Sequence, residues 1–254
     1  MDQYHFEVRT SPSDILNKEM RIIVDWDEKQ IMEDAKQSLH RYSTGKPIGP
    51  FDGVPVVIKD QLDTIGLTVR SGLPVPVHNP STKDSAVTER LKAQGMIIIG
   101  LTNMHQIGVG ITGVNPSNLH GFCPNPVNPE YHPGASSSGT VAAIAIGLVP
   151  CGIGTDGGGS VRIPAAFTDT SAIKPTAGRI PHRGYNGGTN STIGPMANTM
   201  VDCAKLYSII AGPDPAEESY ITWYQPKIEI PKNIKNNLNG LKVGIDYEWV
   251  QVMV

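Results

Sequence analysis

The apolar residues of this 254-residue chain fall into short β-branched runs separated by stretches of helical period, and that alternation narrows the folds open to it. VPVVIKD (54–60) and MIIIG (96–100) are bounded by Gly and Pro and are too short for helices, so they read as buried strands. A helix is expected over 28–43, with Ile31, Ala35, Leu39 and Tyr42 forming its apolar face. Asp84 is the expected cap of a helix running to Gln94, where Gly95 supplies a stop. The longest mainly apolar run, VAAIAIGLVPCGIG (141–154), is shorter than the ~20 residues a membrane-spanning helix needs, and it breaks at Gly147 and Pro150. A buried helix over 138–148 followed by a strand over 149–154 accounts for it. A further helix fits 200–211, a polar connector 213–240 and a last strand GLKVGID (240–246). Strands alternating with helices make an α/β layered domain.

With 39% hydrophobic and 18% charged residues the chain can bury a core and lacks the composition of a disordered one. A net charge of −3 gives no electrostatic reason to expect nucleic acid or an anionic membrane as partner. Cys123, Cys151 and Cys203 are odd in number and far apart, which fits neither a disulfide framework nor a CxxC metal site and favours a reducing compartment. MDQYHFEVRTSPSD has no apolar core of a secretory signal, so the expected location is the cytoplasm or the face of an intracellular membrane.

The chemistry concentrates in GTDGGGSVRIP (154–164). Gly157, Gly158 and Gly159 run into Ser160, with Asp156 before and Arg162 after. Three glycines cost backbone entropy, and a flexible loop or tight turn is one way to use them. Another is a cradle of backbone amides around an oxyanion formed when Ser160 attacks a carbonyl. A phosphate cradle fits less well, since neither GxxxxGK[ST] nor a helix-opening GxGxxG is present. A serine nucleophile needs a base. The seven histidines stand in no recognisable catalytic setting, whereas Lys59 ends an apolar strand where an unpaired ammonium is costly. Lys59 is therefore the best candidate base on burial, against the plainer reading of a lysine snorkelling from a strand end. Ser171-Ala172-Ile173-Lys174 spells SxxK without the companion motifs that give that spacing meaning. Ser136, Ser137 and Ser138 precede an apolar helix, more serines than an N-cap requires.

From about Gly49 to Val201 these elements resemble the amidase signature family. Gly134-Ala135-Ser136-Ser137-Ser138-Gly139 matches its Gly-Gly-Ser-Ser-Gly-Gly element, and residues 156–164 match its Asp-x-Gly-Gly-Ser-x-Arg-x-Pro element. Gly53–Asp60 matches its Gly-Val-Pro-x-x-x-Lys-Asp strand, and Gly194–Ala197 reads Gly-Pro-Met-Ala. The resemblance implies a mixed sheet with helices on both faces, preceded by a helical segment over 1–48. Residues 49–254 would then be the N-terminal part of the family's domain, whose C-terminal part is expected to be missing. It implies a Ser-Ser-Lys triad with Ser160 as nucleophile, Ser136 as bridging serine after a cis peptide, and Lys59 as base. The amides of Gly157, Gly158, Gly159 and Ser160 would hold the oxyanion, while Asp156 and Arg162 shape the loop. Ala135 replaces the family's glycine, and Thr168-Asp169-Thr170-Ser171 replaces small apolar residues.

The reaction implied is acyl transfer from a small-molecule amide, with no cofactor, no metal and no nucleic acid. Asn103-Met104-His105 and the stretch 110–116 are most similar to the plant-type fatty acid amide hydrolase branch, which cleaves N-acylethanolamines. Peripheral membrane association and a homodimer are compatible with that branch. The alternatives are a general amidase, an amidotransferase A-type subunit, or a truncated protein that is inactive or depends on a partner.

Overall fold

The computed structural model describes residues 20–115, 121–217, 239–240, 242 and 244–252. Its centre is a six-stranded mixed sheet of order β1-β3-β2-β4-β6-β5. The strands are β1 (Ile23–Asp25), β2 (Pro55–Lys59), β3 (Ile97–Thr102), β4 (Cys151–Asp156), β5 (Ser171–Ala172) and β6 (Thr192–Ala197). The central strands β3, β2 and β4 run parallel, with Val56 facing both Ile98 and Cys151. The outer strands β1, β6 and β5 pair antiparallel.

Alternation along β2 divides the core, because successive side chains leave a strand on opposite faces. Val56 and Ile58 pack with α2 (Ala86–Ala93) and α5 (Met200–Ile210) through Val87, Leu91, Leu206 and Ile210. Val57 packs on the other face against Val141, Ala142 and Ile144 of α3 (Ser138–Ala145). The mixed sheet with helices on both faces is therefore present.

The two short runs became β2 and β3, and the long apolar run divided into α3 and β4, each within a few residues of expectation. Three expectations need correction. Helix α1 spans Glu28–Ser43 as predicted, but Leu39 is 70% and Tyr42 51% exposed. The helix instead buries Ser38 and is anchored by Arg41, whose Nε and Nη2 grip the buried Asp52 carboxylate at 2.7 and 2.6 Å. That forked bond holds the Asp52 pKa down to about 2. The cap of α2 is Ser85, whose Oγ accepts from Thr88 N, while Asp84 accepts from Ile65 N and pairs with Lys92. The strand expected over 240–246 is not formed by its described residues: Ile245 is 56% exposed, and Tyr247–Val252 form helix α6. A strand needs a ladder partner, and no described strand flanks this segment. Most of the connector expected over 213–240 lies outside the described residues.

Strand β6 was missed because TIGPMA contains both Gly and Pro, which ordinarily argue against an interior strand. Pro195 is tolerated because its carbonyl, accepting from Ile173 N at 3.1 Å, faces the side on which β5 has already ended at Ala172. Strand β1, only three residues long, and the short helix α4 (Arg162–Phe167) gave too little periodicity to read.

Candidate active site

Strands β2 and β4 lie side by side and parallel, so the residues at their C-terminal ends converge. The outer ends of parallel strands are where open α/β sheets place their ligand sites. Lys59 ends β2, Thr155 and Asp156 end β4, and Ser160 follows within four residues. Helix α3 brings Ser136 and Ser137 from the neighbouring turn. The close fit of that turn explains its glycines. Gly134, at φ +76°, lies where a Cβ would meet Pro164 Cα at 2.7 Å, and a Cβ on Gly139 would meet Asn103 N and Ile22 O at 2.6 Å. The Ala135–Ser136 peptide is cis.

Lys59 is fully buried, and its Nζ lies 2.7 Å from Ser136 Oγ and 2.8 Å from Thr155 Oγ1. Burial drives its pKa down from 10.5 to about 7, against the opposing pull of Asp156 and Asp60. The penalty on a buried ammonium thus leaves a substantial neutral fraction near pH 7. Thr155 Oγ1 in turn donates to Gln61 Oε1 at 2.8 Å. Asp60, also buried, accepts from the amides of Arg70 and Gly72, and burial pushes its pKa up to about 7.

Ser160 is 9% exposed, and its Oγ hydrogen-bonds to no other described residue. Its carbonyl accepts from Ser137 N at 3.2 Å, which ties the glycine loop to the turn carrying Ser136. Ser137 Oγ completes the tie by bonding the backbone of Thr155.

Asp156 organises the glycine loop. Its carboxylate accepts from Gly159 N at 2.7 Å and Val161 N at 3.3 Å, and from Arg162 Nε and Nη2 at 2.9 and 3.1 Å. Burial alone would raise its pKa, but Arg162 and the two amides overrule this and hold it below the usual value. Of the four amides expected to face an oxyanion, that of Gly159 is therefore already committed to Asp156. Those of Gly157, Gly158 and Ser160 donate to no described residue. Gly158 has open space where a Cβ would stand, so the loop's outer side admits a ligand.

The structure sets Lys59 against Ser136 and Asp156 against Arg162 and the amide of Gly159, and ties Ser160 to this group through its backbone carbonyl, but no hydrogen bond joins the Ser160 hydroxyl to that of Ser136. Sequence reasoning missed Thr155 and Gln61, and it noted Ser137 within the serine cluster without assigning it a role. A threonine following the apolar run CGIG, and a glutamine two residues after Lys59, carried the same signal of a buried polar group that singled out the lysine. The SxxK pair forms no site among the described residues: Lys174 is exposed, and the one described partner of its Nζ is Pro175 O. The polar residues 168–171 are absorbed locally, since Thr168 Oγ1 donates to Pro164 O and Ser171 enters β5. Among the described residues no cluster of His, Cys, Asp or Glu could hold a metal ion, and no helix is long and apolar enough to cross a membrane. The three cysteines are free and buried, and burial pushes their thiols up to about 12.

Residues 12–254 match the family described as Amidase. The chain is 36% identical over 232 residues to a fatty acid amide hydrolase of Arabidopsis thaliana, covering 89% of this chain and 38% of that one. It is 35% identical over 217 residues to the A-type subunit of a glutamyl-tRNA(Gln) amidotransferase of Chloroflexus aurantiacus, covering 85% and 44%. Its fold is similar to that of the native peptide amidase of Stenotrophomonas maltophilia, with a TM-score of 0.73 and 27% identity, covering 81% of this chain and 43% of that one. The chain thus spans less than half the length of each of these relatives.

Proposed function

Since the chain belongs to the amidase family, we propose that it carries the catalytic centre of a serine hydrolase that cleaves linear carboxamide C–N bonds. One observation carries this reading: a wholly buried lysine, with its pKa drawn to about 7, sits 2.7 Å from the hydroxyl of Ser136. In the proposed sequence neutral Lys59 takes a proton from Ser136, and Ser136 takes one from Ser160. Ser160 Oγ bonds to the amide carbon, and the negative oxygen settles against the amides of Gly157, Gly158 and Ser160. The proton then returns through Ser136 to the leaving nitrogen as the C–N bond breaks. Water hydrolyses the acyl-enzyme by the same relay.

The proposed substrates are long-chain fatty acid amides such as N-acylethanolamines. Support comes from the loop after β3. Its residue His105 donates its backbone N–H to Ser136 O, and Gly113 packs against Ser138, which pins the loop beside the site. Between those points Ile107, Val109 and Ile111 are each more than half exposed. Exposed apolar side chains on a loop anchored beside the site suit an acyl chain better than a charged or peptidic group. Hydrolysis of an acylethanolamide series tests this, with rate rising as the acyl chain lengthens. A folded protein that cleaves glutamine and ignores acyl amides would instead favour the amidotransferase relatives' activity.

A further inference from the structure

We propose that Gln61 is a positioning residue for Lys59, acting through the hydroxyl of Thr155. The inference deepens the reading of Lys59 as the base and rests on it. A neutral amine has one lone pair, and Lys59 must keep it for the proton of Ser136. Its second neighbour, Thr155 Oγ1 at 2.8 Å, carries a proton of its own that could occupy that lone pair. Gln61 Oε1, 2.8 Å from the same hydroxyl, accepts that proton and turns the Thr155 lone pairs toward Lys59. Thr155 is thereby made an acceptor for a Lys59 N–H, and the lone pair is left to Ser136.

The glutamine is well held for this task. It is 3% exposed, its backbone N–H donates to Lys59 O, and its carbonyl accepts from Asn186 N at 2.7 Å. A Cβ on Gly108 would come within 3.2 Å of Nε2, so the amide end is confined. The charged or titratable groups near Lys59 are Asp60 just after β2, Asp156 at the end of β4, and His105 from the loop after β3. Arg162 is engaged by Asp156. None of these contacts the Thr155 hydroxyl, so its orientation falls to Gln61.

The test is a ¹³Cε NMR titration of Lys59 in the full chain, comparing wild type with Gln61→Met. Without the acceptor, Thr155 loses the partner that strengthens its oxygen as acceptor for the lysine N–H, and that loss weighs more on the ammonium than on the amine. The Lys59 midpoint then falls by about half to one pH unit, the worth of one neutral hydrogen bond. A merely structural glutamine gives the opposite sign, because a loosened, hydrated site returns the midpoint toward that of a free lysine. The fall disappears when Gln61→Met is made in a Thr155→Val background. Should Gln61→Met fail to fold, Gln61→Asn, which withdraws the acceptor by one methylene, is titrated in its place. A midpoint that rises, stays put, or falls equally in the Thr155→Val background overturns the proposal. Because the titration needs no turnover, its failure is separate from a failure of Ser160 to react.

Discussion

Lys59 Nζ and Ser136 Oγ stand 2.7 Å apart with both residues shut off from solvent, at 0% and 1% exposure. A lysine in that position is costly as an ammonium and useful as an amine. The same burial sets both its cost to the fold and its reactivity.

The pH dependence follows from that burial. As the proposed base, Lys59 works deprotonated, so reaction at Ser160 is expected to rise with pH through about 7 and reach its plateau above it. Stability moves in the same direction. Between the folded value of about 7 and the unfolded value of 10.5 the unfolded chain binds the extra proton, so stability gains as pH rises across that window. Replacing the lysine with an apolar residue of similar length removes the penalty. Lys59→Met is expected to raise the thermal midpoint at pH 7, flatten this part of the stability profile and abolish reaction, as read by calorimetry across pH.

The glycine loop separates space from geometry. A Cβ at position 158 meets nothing within 4 Å, whereas one at 139 meets backbone atoms at 2.6 Å. Gly158→Ala should therefore change stability by no more than about 1 kcal/mol while slowing turnover, because its methyl stands where substrate approaches. Gly139→Ala should lower both, and urea denaturation separates the two cases.

Asp156 is expected to matter more than its partner Arg162. Asp156→Ala strands the amides of Gly159 and Val161, at about 1–3 kcal/mol for each group left unsatisfied in the interior. Arg162→Ala removes a side chain that is 55% exposed and should cost much less. Denaturant midpoints of the two variants rank them, and equal losses would contradict the assignment of the loop to the carboxylate.

Much of this architecture was legible because it follows from local pattern. Two short β-branched runs could hardly be anything but buried strands, and the lysine inside one of them was conspicuous on grounds of solvation alone. Helix α1 shows where pattern misleads. Its apolar stripe predicts the buried face, yet a forked charge pair between Arg41 and Asp52 sets how the helix docks and leaves Leu39 in solvent. Leu39→Gln should accordingly shift stability by less than about 0.5 kcal/mol, measurable by urea unfolding. Thr155 and Gln61 were hidden for a different reason. Their importance lies in which hydroxyl points at which neighbour, a three-body relation between β2 and β4 that no spacing along the chain encodes. The commitment of the Gly159 amide to Asp156 was hidden likewise, since a run of glycines does not say which N–H is already spoken for.

The most direct test of the central claim is fluorophosphonate labelling read by intact mass and peptide mapping. The account predicts one adduct on Ser160 in the wild type, none in Ser160→Ala, and much slower labelling in Lys59→Ala. An adduct on another serine, or a folded wild-type chain that takes no probe, would contradict it.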